Sequence, residues 1–193
     1  MKEINKEQAL ELLINGNKRF ESGELQHPDR DAKRRMEGLS GQNPFAVVVG
    51  CSDSRVPPEI LFDQGIGDLF VIRVAGNIID DAVIGSVEYA VKQLETPLVM
   101  VMGHNLCGAV QTAIAGVKES KYIEVIAEKI QPAIDAVSLD ETDYLDKVIR
   151  KNVELMVDKL TTSSQILNNS LKSGEIAFIG GYYDIATGKF EIL

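Results

Sequence analysis

The chain has 193 residues, of which 45% are hydrophobic and 25% are charged, and its formal net charge at pH 7 is −9. These values predict one soluble globular domain over residues 1–193. The excess of acidic side chains opposes binding to nucleic acid or to anionic lipid, because both are polyanions. The sequence starts without a signal-peptide pattern and contains no apolar run of about 18 residues, so we expect a cytoplasmic protein without membrane contact.

Apolar spacing predicts alternating helices and strands along the chain. Helical periodicity predicts an amphipathic first helix over 6–22, which Gly23 ends, and a short helix near 30–38 in the polar stretch that follows. Continuous apolar, β-branched runs predict buried strands. The predicted strands are 44–50, 69–74, 98–103, 175–184 and an edge strand at 189–193. The remaining predicted helices are 57–65, 79–94, 107–116, 118–135, 141–160 and 164–172. This alternation is typical of an α/β fold with a mostly parallel central sheet flanked by helices.

Both cysteines and one of the two histidines lie at the ends of predicted buried strands. Cys51 follows strand 44–50, His104 follows strand 98–103, and Cys107 lies in the first turn of the next helix, where the helix field favours a thiolate. If the two strands are neighbours, the three side chains converge beyond their carboxyl ends. Zinc prefers thiolate and imidazole ligands, and a catalytic zinc keeps a fourth position open. The sequence therefore predicts one Zn²⁺ per chain on these three residues.

Other interpretations of the same cysteines remain open at this point. A free cysteine often acts as a small buried hydrophobe, and a reactive thiolate could serve redox or nucleophilic chemistry. A disulfide is less favoured in a reducing compartment. A phosphatase-like anion loop from Cys51 to Arg55 is disfavoured, because the three residues between them offer few backbone amides and Pro57 removes another.

Two motifs resemble the signature of a known enzyme family. The stretch Cys51–Val56, CSDSRV, together with His104–Gly108, HNLCG, is similar to the signature of the β-class carbonic anhydrases. Further matching pieces fall in the family's order, and they are Gly16–Phe20 with Gly23, Asp68–Val71 with Arg73, Ala75–Asn77, Glu88–Ala90, and Tyr183–Asp184 with Thr187–Gly188. The resemblance covers essentially the whole chain. It implies that residues 1–40 form an N-terminal helical arm that embraces a second subunit, in a homodimer or a dimer of dimers.

The resemblance also implies roles for residues beside the zinc ligands. Asp53 would accept a hydrogen bond from a zinc-bound hydroxide, and Arg55 would hold Asp53 ionised through a forked ion pair. In members whose site closes, the matching aspartate binds zinc directly. Such members carry a tryptophan where this chain has Val48, and this chain contains no tryptophan. We therefore expect the open form, with Asp53 away from the metal. The residues matched to the substrate pocket are Gln42, Phe70, Ala75 and Gly108, part of them across a dimer interface.

The implied activity is that of a carbonic anhydrase, a zinc lyase that reversibly hydrates CO2 to bicarbonate and a proton through a zinc-bound hydroxide. One alternative is a hydrolase on the same scaffold that acts on a CO2 analogue, carbonyl sulfide or carbon disulfide. Another is a non-catalytic protein that binds zinc or bicarbonate. The pair of Asp53 and Arg55 argues against the non-catalytic alternative, because a structural zinc site takes a fourth protein ligand.

Overall fold

Five strands form one sheet in residues 4–193, which are the residues that the computed structural model describes. The strands are β1 Ala46–Gly50, β2 Leu69–Arg73, β3 Leu98–His104, β4 Ala177–Tyr183 and β5 Phe190–Ile192. Their order across the sheet is β2-β1-β3-β4-β5. The first four run parallel, and β5 pairs antiparallel with β4 at the edge. The predicted fold is confirmed, and residues 1–3 of the predicted arm lie outside the described residues.

Helices connect these strands and pack against the sheet. In the described part of the chain they are α1 Lys6–Ser22, α2 Ala32–Glu37, α3 Pro58–Leu61, α4 Asp81–Gln93, α5 Gly108–Ile114, α6 Lys121–Asp135, α7 Tyr144–Ser163 and α8 Gln165–Lys172. Short 3-10 turns cover Gly38–Ser40 and Ala75–Asn77. Between residues 4 and 193, no helix is both long enough and apolar enough to cross a bilayer.

Two helices end at places that the sequence pattern did not predict. α3 is a single turn, because the chain turns into the left-handed region at Asp63, where φ is +47°. α7 continues through most of the predicted break at 161–164. In this last turn the hydroxyls of Thr161 and Thr162 donate to the carbonyl oxygen of Asp158 in the preceding turn.

The two central strands form the core of the sheet, and β2 lies at its edge. Every residue of β1 and of β3 is buried, as continuous apolar runs predict. All residues of β2 are only half-buried. Its outer side pairs with no strand within the described residues, so the backbone groups on that side are available to another chain.

The first helix packs on its own chain. Ala9 and Leu13 are buried on its inner face. The buried amide of Asn17 donates to the carbonyl oxygen of Gly188 at 2.9 Å and accepts from the backbone N–H of Phe190 at 2.8 Å. These bonds join α1 to the turn between β4 and β5.

The second half of the predicted arm lies on the surface. None of the residues of α2, all of which are described, is buried. Met36 and Leu39 are 67% and 76% exposed. The arm over residues 1–40 that embraces a second subunit stays a prediction.

Candidate metal centre

The three predicted zinc ligands meet at the carboxyl edge of the sheet. β1 and β3 are neighbours, with Gly50 paired to Met102, so their ends lie side by side. Cys51 directly follows β1, and His104 is the last residue of β3. Cys107 is the N-cap of α5, one residue before the first turn rather than within it. The three ligand atoms lie within 4.8 Å of one another, and all three residues are buried.

The distance between the two sulfur atoms fits a zinc ion. The Sγ atoms of Cys51 and Cys107 are 3.9 Å apart. Two thiolates bound at about 2.3 Å from one zinc with tetrahedral angles would be about 3.8 Å apart. A disulfide would need a separation of about 2 Å, and both thiols are free. The separation of the two sulfurs is therefore close to that of two cysteine ligands on one tetrahedral zinc ion.

The imidazole of His104 presents one nitrogen to the same place. Its Nδ1 atom is 2.8 Å from the main-chain oxygen of Asn105. A carbonyl oxygen can only accept, so Nδ1 carries the proton and Nε2 carries the lone pair. Nε2 is buried and has no hydrogen-bond partner among the described residues. Burying an unpaired polar atom is costly, and a metal ion at Nε2 would satisfy it.

The two thiols have opposite pKa shifts. A hydrogen bond from the Cys107 thiol lowers the pKa of Cys51, and His104 and two backbone amides lower it further against the effect of burial. The amides of Asp53 and Gly76 lie 3.4 Å and 3.3 Å from the Cys51 sulfur. The hydrogen bond to the Cys51 sulfur and burial raise the pKa of Cys107. A divalent cation between the two sulfurs would stabilise both as thiolates.

Asp53 faces this group but is held by Arg55. The guanidinium donates to both carboxylate oxygens, from Nε at 2.9 Å and from Nη2 at 2.7 Å, and the backbone N–H of Arg55 donates at 3.0 Å. The side-chain bond to Arg55 holds the pKa of Asp53 well below its usual range. Its Oδ2 atom is 4.0 Å from Nε2 of His104. The carboxylate therefore lies close to His104 while it is paired with Arg55.

Arg73 fixes the loop that carries both residues, a role that sequence reasoning missed. Its Nε donates to the carbonyl oxygen of Cys51 at 2.9 Å, and its Nη2 donates to that of Asp53. The available signal was a charged residue at the end of an apolar strand.

Gly76, which follows β2 in the 3-10 turn, has a φ of +69°, and a Cβ atom there would lie 2.9 Å from Ile130. Glycine thus allows its amide to approach the Cys51 sulfur.

Comparisons with known proteins show the family to which the chain belongs. A family model described as "Carbonic anhydrase" matches residues 46–190. "Carbonic anhydrase 2" of Mycobacterium tuberculosis is 38% identical, over an alignment that covers 98% of this chain and 93% of that protein. The "Carbonic anhydrase" of Mycolicibacterium smegmatis is 40% identical, with 95% and 91% covered. A solved β-carbonic anhydrase from Coccomyxa, in complex with acetazolamide, has a TM-score of 0.74 at 28% identity, over 82% of this chain and 75% of that one. The chain belongs to the β-class carbonic anhydrases.

Two of the predicted pocket residues of this carbonic anhydrase lie next to the metal ligands. Gly108 begins α5 directly after Cys107, and the space where a Cβ atom would be is open for 4 Å. Ala75 begins the 3-10 turn that contains Gly76. Both therefore border the site within a single chain.

The other two predicted pocket residues lie farther from the metal ligands of the same chain. Phe70 is in the middle of the edge strand, with its ring centroid 6.2 Å from that of Tyr89. Gln42 is exposed in the segment before β1, whereas Cys51 follows the other end of that strand. A five-residue strand spans roughly 16 Å. One chain alone thus does not bring Gln42 to the metal ligands.

Proposed function

We propose that this carbonic anhydrase reversibly hydrates CO2 to bicarbonate and a proton, with one Zn²⁺ bound by Cys51, His104 and Cys107. The observation that carries the proposal is the buried, unpartnered Nε2 of His104 beside two thiols. The relatives named carbonic anhydrase, at 38% and 40% identity over nearly the whole chain, support the same reaction.

The chain's own residues would orient the reactants. A zinc ion in this site would acidify a water molecule and so supply hydroxide near neutral pH. Asp53, with Oδ2 4.0 Å from Nε2 of His104, would lie next to a ligand bound opposite the protein and could accept one hydrogen bond from it. Accepting that bond would direct a lone pair of the nucleophile toward CO2. Arg55 keeps Asp53 ionised and in place, so that Asp53 remains an acceptor.

We propose that a homodimer completes the substrate pocket. Gln42 would donate to a substrate oxygen in the partner's site, since β1 separates it from the metal ligands of its own chain. Phe70 and Ala75 would supply apolar walls. The unpaired outer edge of β2 and the exposed Met36 and Leu39 support an interface on this side of the molecule.

A reducing compartment such as the cytoplasm suits this site, and we propose it for this protein. Zinc binds both cysteines as thiolates, so both must stay reduced. Their sulfurs are 3.9 Å apart, and a small movement would let an oxidant join them. An oxidising environment would therefore compete with zinc binding.

Stopped-flow measurement of CO2 hydration tests the proposed function. The protein is stripped with a chelator, reloaded to known zinc content and assayed between about pH 7 and about pH 9. We expect activity that rises with zinc up to one ion per chain and that rises with pH, because hydroxide is the reactive form. Protein with full zinc that hydrates no CO2 at any pH in this range would overturn the proposal. Turnover of carbonyl sulfide or carbon disulfide by that same protein would assign it to the hydrolase alternative.

A further inference from the structure

Asn105 joins the end of β3 to the turn between β4 and β5. Its carbonyl oxygen accepts the Nδ1–H bond of His104 at 2.8 Å. Its backbone N–H donates to the carbonyl oxygen of Tyr183 at 3.1 Å. The pairing of His104 with Tyr183 is the last one between β3 and β4. Asn105 is thus the first residue after the last strand pair, and the sheet holds its backbone only through this N–H.

The side chain of Asn105 continues this connection. Its Nδ2 donates to Oδ2 of Asp184 at 2.9 Å, and its Oδ1 accepts from the backbone N–H of Ile185 at 2.8 Å. The other carboxylate oxygen of Asp184 accepts from the N–H and the hydroxyl of Thr187, at 2.7 Å and 3.0 Å. Both the nitrogen and the oxygen of the Asn105 side-chain amide therefore have hydrogen-bond partners in the turn. Both carboxylate oxygens of Asp184 accept hydrogen bonds.

These bonds restrain the oxygen that orients the imidazole. The direction of the Nδ1–H bond sets both the tautomer of His104 and the rotation of its ring, and so the direction of Nε2. If the Asn105 carbonyl moved, Nε2 would turn away from the two sulfurs. We propose that Asn105 and Asp184 are positioning residues of the metal site, which hold the Asn105 carbonyl so that His104 presents Nε2 to zinc. This inference rests on the zinc site of the proposed function.

The main test is the zinc affinity of Asn105→Ala, measured by competition with a chromophoric chelator. This variant removes both side-chain bonds and keeps the backbone bonds of residue 105. We expect zinc affinity to fall on the order of 10- to 100-fold, as is typical when an orienting group behind a ligand is lost. The absorption of the Co²⁺-substituted protein should also change, because it reports the geometry of the ligands.

Exchanging the amide and the carboxylate between positions 105 and 184 distinguishes a positioning role from a general loss of stability. Asn105→Asp alone places two carboxylates opposite each other and should weaken zinc binding. The double variant Asn105→Asp with Asp184→Asn restores a donor and an acceptor with the direction of the bond reversed, and we expect it to recover most of the lost affinity. Asp184→Asn alone is a milder change that should still reduce affinity severalfold, and it serves if Asn105→Ala does not fold.

The control for stability is Ser164→Ala, which removes a buried cap of α8 and its bond to Glu88. It should lower thermal stability and leave zinc affinity unchanged. The proposal is overturned if Asn105→Ala, or Asp184→Asn in its place, binds zinc within about twofold of the wild type. It is equally overturned if the double variant binds no better than Asn105→Asp. Because these readouts need no CO2, failure here is distinct from failure of the proposed hydration.

Discussion

The Asp53 carboxylate lies beside His104, with Oδ2 4.0 Å from Nε2, and it is paired with Arg55. Two outcomes are physically available to a carboxylate in this position, since it can orient a neighbouring ligand or become one. The forked bond to Arg55 favours the first outcome, because this bond would have to break before the carboxylate could turn onto a metal, while Oδ2 keeps a lone pair for one more hydrogen bond. The expectation of an open site, drawn from Val48 in place of a tryptophan, is consistent with this geometry.

Arg55→Ala should therefore reduce activity without removing zinc. The freed Asp53 could turn onto the metal, so we expect kcat/KM for CO2 hydration to fall on the order of 10- to 100-fold. Stopped-flow kinetics and metal analysis on the same sample measure the two effects. Arg55 is about half exposed, so thermal stability should change little.

Arg55→Lys is the matched control for this prediction. Lysine keeps the positive charge but cannot form the fork, so its rate should lie between those of the wild type and Arg55→Ala. Activity of Arg55→Ala within about twofold of the wild type would show that Asp53 needs no restraint.

At the level of residues, the sequence predicted which three side chains come together at this site but not the groups that hold them. Cys51, His104 and Cys107 could be found because thiols and imidazoles are scarce in this chain and follow apolar strands. Arg73 and Asn105 act through main-chain carbonyl oxygens, and every residue has such an oxygen. Which oxygen they reach depends on the folded backbone, so spacing gave no signal for it.

At the level of elements, continuous apolar runs predicted the strands well, because β1 and β3 are buried on both faces. The short α3 could not be predicted. Its end depends on Asp63, whose fully buried carboxylate is bound by α1 and by the segment after it. Such a contact between distant parts of the chain overrides local helix propensity.

Asp63→Asn should loosen the connection between the arm and the sheet. The carboxylate accepts from Nε of Arg19 at 2.7 Å and from the backbone amides of Gln26 and His27 at 2.9 Å and 3.0 Å. The substitution leaves Arg19 without its charge partner, so we expect the free energy of unfolding to fall by about 1 to 3 kcal/mol at neutral pH. Urea unfolding measures it, and Asp140→Asn on the surface is the control, with a negligible change expected.

The stability difference between wild type and Asp63→Asn should depend on pH, because it depends on the pKa of Asp63. Burial raises that pKa, but Arg19 and the two amides outweigh burial, and the net pKa is lowered. A carboxyl whose folded pKa lies below its unfolded value of about 3.9 stabilises the fold above that value, and loses the effect as pH falls through the folded pKa. The difference in the free energy of unfolding between wild type and Asp63→Asn should thus be largest at neutral pH and disappear in acid. A difference in unfolding free energy that increased on acidification would contradict a lowered pKa for Asp63.

At the level of the whole molecule, the proposed role of Gln42 in the partner's site would make activity a property of two chains. Gln42→Ala and Asp53→Ala should each be nearly inactive as pure proteins. Random mixing of the two gives half mixed dimers, each with one intact site, so activity should recover to about a quarter of the wild type. Subunits must be exchanged by unfolding and refolding together. Mixtures that stay as inactive as the parents, with mixed dimers demonstrated by mass, would place Gln42 outside the partner's site.

The zinc site itself is tested most directly by anomalous diffraction at the zinc edge from crystals of the zinc-loaded protein. We predict one strong peak per chain, about 2.3 Å from the sulfurs of Cys51 and Cys107 and about 2.0 Å from Nε2 of His104. Asp53 should remain paired with Arg55 in those crystals. A peak at another place, or Asp53 bound directly to the metal, would contradict this account.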